Sequence, residues 1–238
     1  MQKIRVVDFE TTGFPEDAVR GICEVGYSDL SADWKVGVTT SFLVNPGHPI
    51  PPQTRAIHHI SDADVVNSVS QDVALRTLML GTGPGDAFAA HNSKFEQAFF
   101  AGGGFPWICT MQCAKHLFPD APGYSNQTLR YWLGLDNHID SALAMPPHRA
   151  GPDTYVTAHI LSRLILTAGG ADYVMGPSVQ KLITLSTMPV LLRDVPFGKH
   201  KGAKWADLPW DYLNWVANKS DLGADEKHTA RHHLGAQK

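Results

Sequence analysis

The chain has 238 residues, of which 43% are hydrophobic and 18% are charged. This composition is typical of a globular protein and excludes the intrinsically disordered and fibrous classes. The formal net charge is −3, yet residues 1–192 contain 12 Lys and Arg against 17 Asp and Glu, whereas residues 193–238 contain 8 against 6. Overall charge does not exclude a phosphate-rich substrate, because carboxylates that bind cations inflate the acidic count.

The chain lacks the features of an exported or membrane-bound protein. No stretch approaches the ~18 consecutive apolar residues that a membrane helix requires. Met1-Gln2-Lys3 leads straight into a predicted strand rather than into a signal peptide. Cys23, Cys109 and Cys113 are too few for a disulfide framework and are expected to be reduced core residues. We therefore expect a cytoplasmic protein.

Three strands come first along the chain, and strand–helix pairs follow. Apolar spacing predicts that the first three strands are antiparallel, and the proline-rich segment 45–52 predicts an extended connector. The predicted strands cover residues 4–7, 21–30, 36–44, 87–90 and 107–110. The predicted helices start near Ser61 and cover residues 73–80, 93–100, 111–117, 125–132, 152–167 and 179–185, with Pro152 at a first helical position.

The sequence changes in character after Gly169-Gly170. A compact basic turn, an aromatic-rich segment and a polar helical tail follow, so we predict a boundary near residues 169–178. The predicted organisation is a main domain at 1–168, a linker with a short helix at 169–192 and a small α-rich module at 193–238. Strands followed by strand–helix alternation are typical of an α/β layer fold around a mixed sheet flanked by helices.

Two carboxylates, Asp8 and Glu10, lie at the end of the first predicted strand, just before Thr11-Thr12-Gly13. Side chains alternate along a strand, so both carboxylates leave the same face one pleat apart. Such a pair is either two solvated acids on an edge strand or half of a divalent-metal site. The second interpretation requires further carboxylates from later in the chain.

Residues later in the chain supply these further carboxylates. Glu96 lies one helical turn beyond a strand end, in His91-Asn92-x-x-Phe95-Glu96, and His148 precedes Asp153 by five residues. Each motif is weak alone, but their order and spacing over some 150 residues are specific. Together they resemble the DEDDh family of 3′-to-5′ exonucleases, whose fold is ribonuclease H-like. Further stretches resemble the bacterial exodeoxyribonuclease X branch of that family: 56–60, 107–111, 124–126 and 197–202.

The resemblance implies a two-metal site. Hydrolysis of a phosphodiester must bring water to a phosphorus atom that negative oxygens screen, and two divalent ions perform this task. Mg²⁺ and Mn²⁺ prefer oxygen ligands. The implied ligands are Asp8, Glu10, Glu96 and Asp153, with Asp8 as the bridge. The implied proton acceptor is His148, because histidine titrates near neutrality.

One position departs from the family pattern, which carries Asp where this chain has Glu96. Glu keeps the charge but is longer by one methylene, about 1.5 Å when extended. Either the helix that carries Glu96 sits slightly back, or Glu96 reaches one metal through water.

The resemblance also implies contacts with the terminal nucleotide. Backbone groups around Thr11 and Thr12 would lie near it, and Phe14 would act as a wedge near the end base pair. Contacts with the terminal sugar and base would come from His58, His91 and Phe95. Stacking on aromatic rings tolerates any base, although Phe95 is equally suited to core packing.

The C-terminal module combines basic and aromatic residues. Lys199, Lys201 and Lys204 lie close in sequence to five aromatic residues: Phe197, Trp205, Trp210, Tyr212 and Trp215. Basic residues beside aromatic ones fit a surface that contacts a DNA strand, with Lys199 and Lys201 as the principal candidates. The alternative is a small aromatic core with the lysines on its solvated face.

These features predict a metal-dependent 3′-to-5′ exodeoxyribonuclease that releases 5′-mononucleotides from single-stranded or duplex DNA ends, with a role in DNA repair implied by resemblance only. An exoribonuclease of the same fold is the near alternative, because the motifs do not read the 2′-hydroxyl. A third hypothesis is a catalytically weak DNA-end-binding protein in which Glu96 has spoiled the metal site.

Overall fold

The computed structural model describes residues 3–169 and 176–236. One mixed sheet contains six strands: β1 (Ile4–Thr11), β2 (Ile22–Leu30), β3 (Thr40–Asn45), β4 (Val69–Ser70), β5 (Ala87–Ala90) and β6 (Trp107–Cys109). Their order across the sheet is β4-β3-β2-β1-β5-β6. The first three strands pair antiparallel, as predicted, whereas β5 runs parallel to β1 and to β6.

Helices pack on both faces of this sheet and build the C-terminal part of the chain. Their bounds are α1 (Pro52–His58), α2 (Asp62–Val65), α3 (Gln71–Met79), α4 (Ser93–Phe99), α5 (Thr110–Leu117), α6 (Asn126–Trp132), α7 (Ala150–Ala168), α8 (Pro177–Leu185), α9 (Trp210–Asn218) and α10 (Ala224–Ala236). No helix within the described residues is long and apolar enough to cross a membrane. The three cysteines are buried free thiols.

Alternation along β1 divides the core into two layers. Ile4 and Val6 pack with residues of α5, α6, α7 and α8, whereas Val7 and Phe9 pack with α3 on the opposite face. The acidic residues at positions 8 and 10 have the parity of Ile4 and Val6, so they lie on the α7 face. The fold therefore brings the N-terminus of α7 towards the predicted acidic pair.

α7 begins at Ala150, so the prediction that Pro152 takes the first helical position is wrong. The Ala150 N–H donates to the buried Glu24 carboxylate at 3.0 Å, which supplies an acceptor two residues before the proline. Pro152 then occupies the third position, where its missing N–H costs nothing because the first four N–H groups of a helix have no intrahelical acceptor.

Two other predicted boundaries are wrong. β3 begins at Thr40 rather than at Val36, which forms only an isolated bridge with Leu30. One extra residue on this side interrupts the ladder before Tyr27 pairs with Thr40. The connector 45–52 is shorter than predicted, because α1 starts at Pro52. Proline suits a first helical position, where its N–H is not needed.

The C-terminal residues form a hydrophobic cluster of their own, which confirms a small α-rich part beside the sheet. Its buried members are Val195, Trp205, Leu208, Leu213, Val216, Ala217 and Ala230. By contrast, Val179 and Leu182 of α8 pack into the main core. Asp225 of α10 joins the two parts, because it accepts hydrogen bonds from Lys115 of α5 and from the Val190 N–H, both at 2.9 Å.

The predicted boundary near 169–178 falls partly on residues 170–175, which lie outside the described residues.

Candidate active site

Three carboxylates meet where β1 passes the N-terminus of α7. One oxygen from each of Asp8, Glu10 and Asp153 lies within 4.8 Å of the other two. Burial and then mutual repulsion raise the pKa of Asp8 well above its ordinary value and raise the pKa of Glu10 to about 8. Burial also raises the pKa of Asp153. The three residues form an oxygen-rich site whose charged state needs a compensating cation.

Glu96 of α4 lies beside this acidic cluster but outside the group of oxygens within 4.8 Å. Its side chain is only 5% exposed, and its Oε2 has no hydrogen-bond partner among the described residues. Burial raises the pKa of Glu96 to about 8, and its charge in turn raises the pKa of Asp8 and of Glu10. A buried carboxylate oxygen without a donor is costly unless a cation supplies the missing partner. The donor set therefore fits a hard divalent cation.

His148 lies in the loop that leads into α7, with an exposed side chain. Its φ of 59° is in the left-handed region, and its N–H donates to Asp153 Oδ2 at 2.8 Å. Gln127 of α6 donates to Oδ1 of the same carboxylate at 3.3 Å. Asp153 is thus oriented from two sides. Nothing in the sequence motifs had marked Gln127, whose role follows from the packing of α6 against α7.

A cavity of 420 Å³ adjoins the acidic cluster through Glu10. Its walls are largely apolar, and Phe14 at its edge is 64% exposed. Predicted site residues that line it are Thr11, Thr12, Phe14, His58 and Phe95. Gln53, Thr54 and Ile57 of α1 complete one wall. These three were missed because the proline-rich segment masked the start of α1, although the Pro51-Pro52 pair was a usable signal.

Two predicted contact residues use their side-chain hydroxyls within the protein. Thr11 Oγ1 donates to the Gly13 carbonyl at 2.9 Å. Thr12 Oγ1 accepts the Gly21 N–H at 2.9 Å and lies 2.8 Å from His48 Nε2. The hydroxyls of both residues are therefore engaged within the protein, and contact of their backbone groups with a nucleotide stays a prediction.

The two predicted contact histidines are also engaged internally. His58 is buried, and its Nδ1 accepts the Ile60 N–H at 3.0 Å, so it supports the cavity wall. His91 Nε2 donates to the Tyr124 carbonyl at 2.7 Å, and its Nδ1 lies 2.9 Å from the Thr110 hydroxyl. Burial lowers the pKa of His91 to about 4. His91 does not line the cavity, so the structure does not bring it to the other contact residues.

Lys199 and Lys201 lie in the C-terminal part, at a short 3₁₀ helix. Lys199 Nζ is 5.7 Å from the centroid of the Tyr212 ring. Trp205 is fully buried, whereas Trp210 and Trp215 are 54% and 44% exposed. Trp205 therefore belongs to a small hydrophobic core, whereas Trp210 and Trp215 expose about half of their surface to solvent.

Two family models match different parts of this chain, and a known protein is similar to nearly all of it. A family model described as Exonuclease matches residues 6–161. A second model, whose description names a quorum-sensing-regulated virulence factor, matches residues 181–223. Exodeoxyribonuclease 10 of Escherichia coli strain K12 is 30% identical over 236 residues, which cover 97% of this chain and 98% of that relative.

Solved structures share the fold. Exonuclease X in complex with 5′-overhanging duplex DNA superposes with a TM-score of 0.64 at 29% identity, over 77% of this chain and 99% of that chain. The zinc-bound complex of E. coli exonuclease I with single-stranded DNA superposes with a TM-score of 0.56 at 16% identity, over 71% of this chain and 41% of that chain, which shows a common fold alone. The predicted ribonuclease H-like architecture is thereby confirmed. With its six-stranded sheet, its acidic cluster and a family match that spans most of the sheet domain, this chain belongs to the exonuclease family of divalent-metal-dependent phosphodiester hydrolases.

Proposed function

We propose that this protein is a metal-dependent 3′-to-5′ exodeoxyribonuclease that releases 5′-mononucleotides from DNA 3′ ends. The meeting of Asp8, Glu10 and Asp153 within 4.8 Å carries this proposal. Glu96 beside them and the apolar cavity at Glu10 support it. DNA as the substrate, single-stranded or duplex, is supported by the relative named an exodeoxyribonuclease and by the DNA in the similar exonuclease X structure.

The proposed cofactors are two Mg²⁺ or Mn²⁺ ions held by four carboxylates: Asp8, Glu10, Glu96 and Asp153. When bound, such ions lower the pKa of a water molecule and neutralise charge on the scissile phosphate. His148 takes the proton of the attacking water through its exposed imidazole. Asp153, which accepts the His148 N–H, keeps this loop at the edge of the acidic cluster.

The cavity beside Glu10 is the proposed site of the terminal nucleotide. Phe95 and Ile57 would provide apolar walls for a base, and the exposed Phe14 ring would separate this base from its neighbour; the lining of the cavity by all three residues supports this proposal. Such contacts are with the faces of the base rather than with its hydrogen-bonding edges, so they favour no particular sequence. His58 lines the same cavity as a buried part of its wall.

The proposal is tested with 3′-labelled single-stranded DNA and RNA of one sequence, incubated with Mg²⁺ or with chelator. Metal-dependent release of label from DNA is the expected result. Preferential release from RNA would favour the exoribonuclease alternative. Binding of DNA ends without any cleavage would instead favour the DNA-end-binding alternative.

Glu96→Ala is expected to lower kcat by about 10²-fold, because it removes a buried carboxylate whose Oε2 has no hydrogen-bond partner among the described residues and is suited to bind a cation. Glu96→Asp restores the residue typical of the family and is expected to retain more activity than the alanine variant. Full activity of Glu96→Ala in single-turnover assays would remove Glu96 from the set of ligands.

Without metal, the protein is expected to lose stability as the pH rises. Folding raises the pKa of Glu10 and of Glu96 from 4.5 to about 8, so the fold favours their protonated forms. Their contribution to stability is complete below about pH 4.5 and is lost as the pH rises through about 8. Mn²⁺ at ~100 times its Kd should then raise the Tm at pH 8 by about 5–10 °C, and by far less at pH 5.

Thermal melts in chelator and in Mn²⁺ between pH 5 and pH 8 measure this effect. Asp8→Asn is the control, because it removes one ligand and should abolish the shift caused by Mn²⁺. A Tm that is independent of pH in chelator, or insensitive to Mn²⁺ at pH 8, would contradict the assignment of the cluster.

The C-terminal module is proposed to contact the DNA strand through Lys199 and Lys201. In Lys199→Ala/Lys201→Ala we expect about 5–10-fold weaker binding of a single-stranded 20-mer. The slope of log K against log salt should fall by about 0.7 for each lost phosphate contact. Lys219→Ala/Lys227→Ala, which removes two other lysines of the module, is the matched control, and equal effects in the two variants would refute a specific contact.

The remaining proposals concern organisation and role. We assign residues 1–168 to the exonuclease domain, 169–192 to the linker and its short helix, and 193–238 to the module that contacts DNA. Removal of nucleotides from 3′ ends suits DNA repair in the cytoplasm.

A further inference from the structure

Glu24 and Arg149 form an ion pair directly beside the acidic cluster. Arg149 Nε donates to Glu24 Oε2 at 2.9 Å, and Arg149 Nη2 donates to Oε1 at 2.8 Å. This is the bidentate geometry in which arginine binds a carboxylate most strongly. Each partner adjoins a site residue, because Glu24 lies opposite Glu10 in the β1–β2 register and Arg149 follows His148. Neither member of the pair was singled out by the sequence motifs.

The same carboxylate also fixes the start of α7. Glu24 Oε2 accepts the Ala150 N–H at 3.0 Å in addition to Arg149 Nε. Two residues along β2, Gly26 permits a close approach, since a Cβ there would clash with the Ala150 carbonyl oxygen. β2 therefore holds residues 149 and 150 in place. These two residues connect His148 to the first turn of α7, which carries Asp153.

The pair also removes an unwanted ligand from the site. Glu24 is buried, and its negative charge raises the pKa of both Asp8 and Glu10, so it belongs to the same electrostatic environment. Both of its oxygens are occupied by donors from Arg149 and Ala150. A fifth carboxylate is thereby neutralised and kept from competing for a cation.

We propose that Arg149, clamped by Glu24, is a positioning residue of the nuclease site. It holds the His148 backbone in its left-handed conformation and sets Asp153 against the β1 acids. The alternative role for an arginine beside a nuclease site is direct contact with a DNA phosphate. Two of the three guanidinium nitrogens are already used by Glu24, which favours positioning. This inference rests on the proposed function.

Kinetics of Arg149→Met and Arg149→Lys separate the two roles. For positioning, both variants should lower kcat by about 30–100-fold, because a small misplacement of reacting groups is costly. KM, and the Kd for DNA measured in chelator, should stay within about threefold of the native values. Lysine should not rescue, because an ammonium group cannot reproduce two parallel bonds to a carboxylate. Raised KM and Kd with rescue by lysine would show a phosphate contact and overturn the proposal.

A double-mutant cycle tests the pairing itself. Glu24→Gln keeps the shape and an acceptor for the Ala150 N–H but loses the charge, so about 10-fold lower kcat is expected. If the pair acts as one unit, Glu24→Gln/Arg149→Met is no slower than Arg149→Met alone. If the double variant instead loses kcat by the product of the two single losses, the two residues act independently, contrary to the proposal. If Arg149→Met fails to fold, Glu24→Gln and Arg149→Lys still decide the question.

Two readouts without substrate keep this test separate from the proposed function. In Arg149→Met, exchange of the amide hydrogens of residues 148–151 should accelerate, and Mn²⁺ affinity measured by calorimetry should fall. Arg193→Met is the matched control, since it breaks an exposed ion pair with Asp120 and should leave both readouts unchanged. A protein that cleaves no nucleic acid refutes the proposed function alone, whereas native exchange and Mn²⁺ binding in Arg149→Met refute the positioning role.

Discussion

Asp8→Asn is expected to lower kcat by at least about 10³-fold, which corresponds to about 4 kcal/mol of transition-state stabilisation. Burial, and then the charges of Glu10, Asp153 and Glu96, raise the pKa of Asp8, so this carboxylate interacts with every other proposed ligand. Asparagine keeps the shape of the side chain and removes its charge, so the loss reports on cation binding. Single-turnover cleavage of 3′-labelled DNA at saturating Mg²⁺ measures it.

The stability of the same variant should change in the opposite direction. In chelator, removal of one charge from a repelling cluster should raise the Tm of Asp8→Asn above that of the native chain at pH 8. A less stable variant would mean that lost activity reflects unfolding. An active and unchanged variant would show that Asp8 binds no metal.

His148→Ala is expected to lower kcat by about 10²–10⁴-fold, the range typical of the loss of a general base. The Kd for DNA in chelator and the affinity for Mn²⁺ should remain native, because the His148 imidazole is exposed and only its backbone N–H is bound to Asp153. That backbone bond survives the substitution, so the geometry of the acidic cluster is retained.

Chemical rescue distinguishes proton transfer from other roles of His148. The exposed loop leaves room for a small base, so added imidazole should restore part of the activity of His148→Ala. Imidazole should not rescue Asp8→Asn, which serves as the control. Activity of His148→Ala within about threefold of native would rule out its role as the base.

The acidic pair on β1 was predictable because alternation along a strand depends only on sequence parity. Asp8 and Glu10 share the parity of Ile4 and Val6, and the structure places all four on the α7 face. The approach of Asp153 was predicted by resemblance, and its physical cause is the packing of α7 against that face. Glu96 remains the departure, placed beside the cluster rather than within it.

Features that depend on contacts between distant segments were not predictable. The start of α1 was not predicted, because its prolines suit both an extended connector and the first turn of a helix. The cavity wall formed by Gln53, Thr54 and Ile57 was therefore missed. The Glu24–Arg149 pair joins residues 125 positions apart, and no local pattern marks it. His91 is a residue that the sequence motif did mark, as a substrate contact. In the structure, both of its ring nitrogens form hydrogen bonds within the protein.

Crystals of the protein soaked with Mn²⁺ and a 5′-mononucleotide test the two-metal site most directly. Anomalous scattering should show two Mn²⁺ ions about 3.5–4 Å apart, bound by Asp8, Glu10 and Asp153 with Glu96 as a direct or water-mediated ligand, and the base should occupy the cavity beside Phe95. Mn²⁺ bound away from these carboxylates, or no Mn²⁺ at all, would contradict the proposed mechanism.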